Sequence, residues 1–130
     1  MAIEIVATKR SPQAVGPYSQ AVAAHGFLYV SGQLPMDPET GQMVDGKIED
    51  QTRRAMNNMR AILEAAEVSM SDVVKTTIYL KDMEDFAAVN GAYAEYFPSN
   101  PPARACFEVA RLPKDARVEI ECVAALPTSS

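Results

Sequence analysis

At Ile48 the hydrophobic period of this chain changes from two residues to 3.6, and at Val73 the helical pattern gives way to a β-branched run. Ile48, Thr52, Ala55, Met56, Met59, Ile62, Leu63 and Ala66 recur at three- and four-residue steps. They predict one face of an amphipathic helix, with Arg53, Arg54, Asn57 and Arg60 largely outside it. Before the switch lie three strand candidates, Ile3–Val6, Gln20–Ala24 and Phe27–Ser31. The last two flank His25-Gly26, a hairpin in which glycine supplies positive φ. Leu34–Gly46 carries Pro35, Pro38, Gly41 and Gly46 and reads as a loop. Val73–Lys81 reads as a buried central strand, apolar on both faces near its middle. Asp82 opens a second helix with Phe86, Val89, Tyr93 and Phe97 on one side, and Pro98 ends it. After a turn at Ser99–Pro102 come two strands, Ala103–Val109 and Arg117–Ala125, around a loop containing Leu112-Pro113-Lys114-Asp115. The order βββαβαββ predicts an α+β layer pair in a single domain, residues 1–130, with both helices on one face of the sheet.

Bulk chemistry excludes several functions. Seventeen acids against 12 Lys and Arg give a net charge of -5, the reverse of the basic balance that nucleic-acid binders show. No run approaches the roughly 18 apolar residues of a membrane span. Met1-Ala2-Ile3-Glu4 lacks the basic-then-apolar form of a signal peptide. One histidine and two scattered cysteines leave a zinc ion short of its usual ligands. Cysteines without a CxxC pair point to a reducing cytoplasm.

Chemistry concentrates in the last two strands. Alternation puts Arg104, Cys106 and Glu108 on one side and Ala105, Phe107 and Val109 on the other. In the final strand Val118, Ile120, Cys122 and Ala124 form the apolar set, with Glu119 and Glu121 opposite. The expectation is a polar sheet face, away from the helices, that presents Arg104, Cys106, Glu119 and Glu121 together. A solvated antiparallel face is the plain alternative. Against it, Pro101-Pro102-Ala103 is a stiff lead-in to Arg104, an arginine suited to bidentate capture of a carboxylate. Ser31-Gly32-Gln33 ends another strand, and a glycine there permits close approach of a ligand.

Five separated motifs resemble the Rid (YjgF) family of reactive-intermediate imine deaminases. They are Gly16-Pro17-Tyr18-Ser19-Gln20-Ala21, Val30-Ser31-Gly32-Gln33, Val74-Lys75-Thr76-Thr77, the stretch from Pro102-Ala103-Arg104-Ala105-Cys106 to Ala110-Arg111-Leu112-Pro113-Lys114-Asp115, and Val118-Glu119-Ile120-Glu121. The likeness spans essentially the whole chain. It implies a chorismate-mutase-like fold, a six-stranded mixed sheet with two helices on one face, and a homotrimer with clefts between subunits. It also implies that the strand from Val73 lies between the last two, leaving Arg104 and Glu119 about 10 Å apart.

Position by position, the resemblance gives Arg104 the substrate carboxylate, aided by the backbone N–H of Cys106. Glu119 orients or deprotonates the attacking water, Tyr18 hydrogen-bonds substrate or water, and Ser31, Gly32 and Asn90 line the cleft. Ala105 stands where serine is common, and its side chain is expected in the core. The implied reaction converts small 2-imino acids to 2-oxo acids and ammonia without cofactor or metal. A carboxylate-binding module without turnover and a ribonuclease or translation inhibitor are the competing classes, and the acidic balance weighs against the last. Cys106 has no histidine base near it in sequence, which argues against covalent catalysis. Cys122, Met56 and Met59 read as core, and Glu121 as a solvated or interface charge.

Overall fold

A computed structural model of the protein describes residues 3–127, so the Met1-Ala2 part of the N-terminal reading lies outside it. The strands are β1 (Glu4–Val6), β2 (Ala21–Ala24), β3 (Phe27–Gln33), β4 (Val73–Leu80), β5 (Ala103–Glu108) and β6 (Val118–Ala125); the helices are α1 (Ile48–Ala65) and α2 (Phe86–Ala94). They form one sheet in the order β1-β2-β3-β6-β4-β5, antiparallel except for the β4–β5 pair. The expected element order and the place of β4 between the last two strands are what the chain adopts. Strand ends differ from expectation by up to two residues.

Leu28 and Val30 on β3, Ile78 and Leu80 on β4, and Val118, Ile120, Cys122 and Ala124 on β6 point to the helices and are buried. Met56, Met59, Ile62 and Leu63 of α1 meet them without solvent exposure. Each such side chain contributes about 1.5–3 kcal/mol on burial. The helix stops at Ala66 because Glu67 turns left-handed at φ 60°. The Glu67 and Val68 amides then donate to the Glu64 and Leu63 carbonyls, and Val68 returns to the core. Between β2 and β3, His25 and Gly26 both take positive φ, as a tight hairpin between twisted strands requires.

Two expectations need correction. The second helix does not run from Asp82 to Pro98. Asp82 caps a 3-10 turn at Met83–Asp85, accepting from the Glu84 amide at 2.9 Å, and α2 itself ends at Ala94. The short polar side chain competes for backbone amides and delays the α-helix by one turn. The face assigned to β5 is also reversed. Thr76, Ile78 and Leu80 of β4 point into the core, and their register partners are Arg104, Cys106 and Glu108. Arg104 and Cys106 therefore sit on the helix side, while Ala105 lies on the uncovered side beside Thr77 and Phe107 beside Tyr79. Alternation fixes which residues share a face, but on the exposed edge strand β5 the more apolar residues Ala105 and Phe107 lie on the uncovered side, so polarity points to the wrong face.

Asn58 was not among the expected core residues, yet it is fully buried. Its Nδ2 donates to the carbonyls of Leu34 (3.1 Å) and Met36 (2.8 Å), and its Oδ1 accepts from Arg54 Nη2 (2.9 Å). One amide thus pins the loop after β3 onto α1. Asn58→Ala should lower the unfolding free energy by about 2–4 kcal/mol, because one buried and one partly buried carbonyl lose their donor. Urea titration is the check, with the midpoint falling and the slope unchanged.

Candidate active site

The sequence-predicted residues fall into two groups on opposite sides of the sheet. Glu119, Tyr18, Ser31 and Gly32 border a cavity of about 460 Å³, together with Gln33, Lys114 and Glu121. Arg104 and Asn90 border a separate groove of about 520 Å³ on the helix side, with Tyr93, Phe97, Pro101 and Pro102. Cys106 packs beside it against the core. The expectation that Arg104 and Glu119 share a face of one chain is therefore wrong.

In the first group, β6 sends Glu119 and Glu121 to the uncovered side, opposite Tyr79 and Thr77 of β4. Register between β3 and β6 breaks between Val30 and Gln33, which frees Ser31 and Gly32 from the regular ladder. The Glu119 carboxylate then lies directly over Gly32. A Cβ at position 32 would stand 2.7 Å from Glu119 Cδ and 3.0 Å from Cγ, so no other residue fits without moving the acid. Burial holds the Glu119 carboxyl above the usual carboxylate range, and the Glu121 charge adds to the effect. Tyr79 is pushed up as well, by burial and by the same two carboxylates.

A buried polar knot shapes the other wall. Gln20 Nε2 donates to the carbonyls of Thr8 (3.1 Å), Ser11 (3.2 Å) and Pro12 (2.7 Å), and its Oε1 accepts from the Thr8 amide at 2.7 Å. Ser11 Oγ donates to Gln33 Oε1 at 3.1 Å, and Gln33 Nε2 donates to the Ser31 carbonyl at 3.0 Å. Ser31 Oγ donates to the Ser19 carbonyl at 2.6 Å. Ser31 thus ties down the chain next to Tyr18 and does not offer a free hydroxyl. Tyr18 itself is half exposed above the cavity. Gln20 and Gln33 escaped the sequence reading; their one signal was two amides flanking the motifs that end in Gln20-Ala21 and Gly32-Gln33.

On the helix side, Arg104 Nη1 donates to Asn90 Oδ1 at 2.7 Å. Its guanidinium carbon stands 5.3 Å from the Tyr93 ring centre and 5.6 Å from that of Phe86. The Cys106 thiol is raised by burial, against the smaller pull of the Arg104 charge, which disfavours the thiolate a nucleophile needs. Cys122 is pushed up to about 12 by burial and is core, as expected. Among the described residues no group of His, Cys, Asp and Glu could hold a metal ion, and no helix is long and apolar enough to cross a membrane.

Residues 8–126 match the family model described as Endoribonuclease L-PSP. The chain belongs to the Rid (YjgF) family. A RutC family protein of Pyrococcus horikoshii is 54% identical over 121 residues, which is 93% of this chain and 96% of that one. The human protein named 2-iminobutanoate/2-iminopropanoate deaminase is 49% identical over 92% of this chain and 88% of its own length. The crystal structure of Escherichia coli TdcF with bound serine matches with a TM-score of 0.90 at 40% identity, covering 94% of this chain and 98% of that chain. The six-stranded sheet with two helices on one face is thus the Rid fold.

The charge pattern around Glu119 has a measurable sign. A carboxyl raised by folding stabilises the fold while protonated and loses that contribution as pH rises through its raised pKa. Glu119→Gln should therefore be more stable than the unchanged protein at about pH 7 and no more stable below about pH 4. Carboxyl 13C NMR should place the Glu119 titration above the usual carboxylate range. Glu121→Gln should lower it only in part, because burial is the larger cause.

Proposed function

We propose that this Rid protein hydrolyses small 2-imino acids, such as 2-iminobutanoate and 2-iminopropanoate, in clefts completed by a second copy of the chain within a homotrimer. The observation that carries the reading is the half-buried Glu119 carboxyl held over Gly32 at a cavity wall, with a pKa moved toward neutrality. General-base catalysis at neutral pH asks for that shift. The human relative's name supplies the substrate class. The serine bound to TdcF is an amino acid with the same carboxylate-bearing carbon.

In this mechanism Arg104 receives the substrate carboxylate and fixes the C=N carbon beside it. Cys106 contributes its backbone N–H to the same carboxylate, and Asn90 holds Arg104. Glu119 takes a proton from water as the oxygen attacks that carbon, then returns it to nitrogen. As the tetrahedral intermediate collapses, the Glu119 carboxylate, free again, takes the hydroxyl proton while the C–N bond breaks, which expels ammonia and leaves the 2-oxo acid. Tyr18 bonds substrate or water, and the bare Gly32 backbone leaves room for the Glu119 carboxylate. The iminium carbon is electrophilic by itself, so the scheme uses no cofactor or metal.

Two copies are invoked because one cannot join the halves. Arg104 and Asn90 lie behind the sheet that carries Glu119, Tyr18 and Gly32. The uncovered face also needs a partner. Ile5, Val22, Tyr29 and Val123 form one row across four strands, and Ile5 is 70% and Phe107 53% exposed. Apolar surface of this kind on a soluble chain marks an interface. We place the protein in the cytoplasm, consistent with two free cysteines. An RNA-cleaving role, which the family description names, is less well served. Net charge is -5, and the cavity carries Glu119 and Glu121, which repel phosphate.

Two experiments test this reading. Gly32→Ala should cut turnover of 2-iminobutanoate at least tenfold with little change in melting temperature, because the displaced groups belong to the flexible Glu119 side chain. Glu119→Gln, which keeps the shape, should lose roughly 10²-fold. Arg104→Ala and Glu119→Gln chains, each strongly impaired alone, should regain activity when refolded together at equal amounts. In a head-to-tail ring about one cleft in four then carries neither lesion. No recovery in mixed trimers confirmed by light scattering would place both residues in one chain's site.

A further inference from the structure

Arg10, Arg53 and Arg117 are each neutralised by a carboxylate, Glu64, Asp50 with Glu95, and Asp85 respectively. Arg54, Arg60 and Arg104 instead bond a neutral amide, that of Asn58, Asn57 and Asn90 respectively. Among the described residues Arg104 has no acid partner, although it is held on three sides. Phe86, Asn90 and Tyr93 are spaced four and three residues apart, so they form one stripe of α2. That stripe runs along the helix face of β5, with Asn90 taking Nη1 and the two rings standing by the guanidinium. Tyr93 is itself fixed: its hydroxyl lies 2.6 Å from Thr76 Oγ1, and Thr76 is the β4 register partner of Arg104. The edge bearing Nε and Nη2 has no protein hydrogen bond among the described residues.

We infer that Phe86 and Tyr93, with Asn90, are positioning residues that hold the Arg104 guanidinium so that its Nε–Nη2 edge receives the substrate carboxylate. The inference rests on the deaminase reading for the role of Arg104. Ring faces and a neutral amide orient the cation while leaving its charge uncompensated, which an acid partner would not do. A free arginine on an edge strand samples many rotamers, and each must be given up on binding. Held in this bracket, Arg104 loses little further freedom when a carboxylate arrives.

The test compares Phe86→Leu, which keeps an apolar side chain but removes the ring, with Phe86→Tyr, which keeps the ring. Asn90→Ala is a second, independent lesion. Calorimetry with 2-oxobutanoate, the unreactive product, reads carboxylate binding directly. Phe86→Leu and Asn90→Ala should weaken it about three- to tenfold, and Phe86→Tyr should stay within about twofold of the unchanged protein. With 2-iminobutanoate generated in situ, KM should rise in parallel while kcat changes less than about twofold. A fall in kcat at constant KM signals a smaller folded fraction and overturns the inference. So does a Phe86→Leu protein that binds 2-oxobutanoate normally, or a Phe86→Tyr protein as weak as Phe86→Leu. If the unchanged protein binds 2-oxobutanoate but does not speed imine hydrolysis, the deaminase reading falls and the bracket is judged on binding alone. Absence of 2-oxobutanoate binding overturns both.

Discussion

Beside Thr76 stands Arg104, and beside Ile78 stands Cys106, in the one parallel ladder of the sheet. Because β4 commits Thr76, Ile78 and Leu80 to the core, that register carries Arg104 and Cys106 to the helix side as well. A one-residue slip would move both to the other face. Parallel pairing also demands a crossover, and α2 provides it between β4 and β5. The crossover helix consequently lies over the strand it delivers, which is why a stripe of α2 meets Arg104.

The opposite face follows from the same commitment. With both helices on one side, the sheet leaves Ile5, Tyr29, Phe27 and Phe107 against solvent around the Glu119–Glu121–Tyr79 cluster. A carboxyl in such a place is partly desolvated even in the lone chain, and Glu119 shows it. The two clusters differ in kind: one is a cation oriented by rings, the other an acid shaped by a glycine and a knot of buried amides.

Much of this was legible in the sequence. Period 3.6 located both helices, and apolar, β-branched and alternating runs bounded by turn residues located the strands, because burial imposes those patterns on the residues themselves. Glu119 and Glu121 were read correctly as the β6 alternates that face away from the helices, since Val118, Ile120, Cys122 and Ala124 declare the buried side unambiguously. For β5 the local pattern misleads: Ala105, Phe107 and Val109 are the more apolar set, yet Ala105 and Phe107 lie on the uncovered side. Only a long-range register decides that strand, and register is invisible to local alternation. The roles of Gln20, Gln33 and Asn58 were hidden for a related reason. A polar side chain is assigned to the surface by default, and only the positions of distant carbonyls reveal that it belongs inside.

Placing Arg104 and Glu119 on opposite faces has a chemical consequence. A guanidinium within about 4–6 Å of a carboxylate lowers its pKa by roughly one to three units. Such a pair within one chain would undo the upward shift of Glu119, and would occupy the edge of Arg104 to which the proposed function assigns the substrate carboxylate. The Rid fold avoids the pair by geometry, since a closed sheet layer separates the two groups. In the proposed cleft they face each other only across the contact between copies, where the substrate's carboxylate and C=N carbon stand between them. The arginine then meets the charge on the substrate, and the acid meets water. Separation within the chain thus keeps Arg104 and Glu119 from pairing with each other inside any one copy.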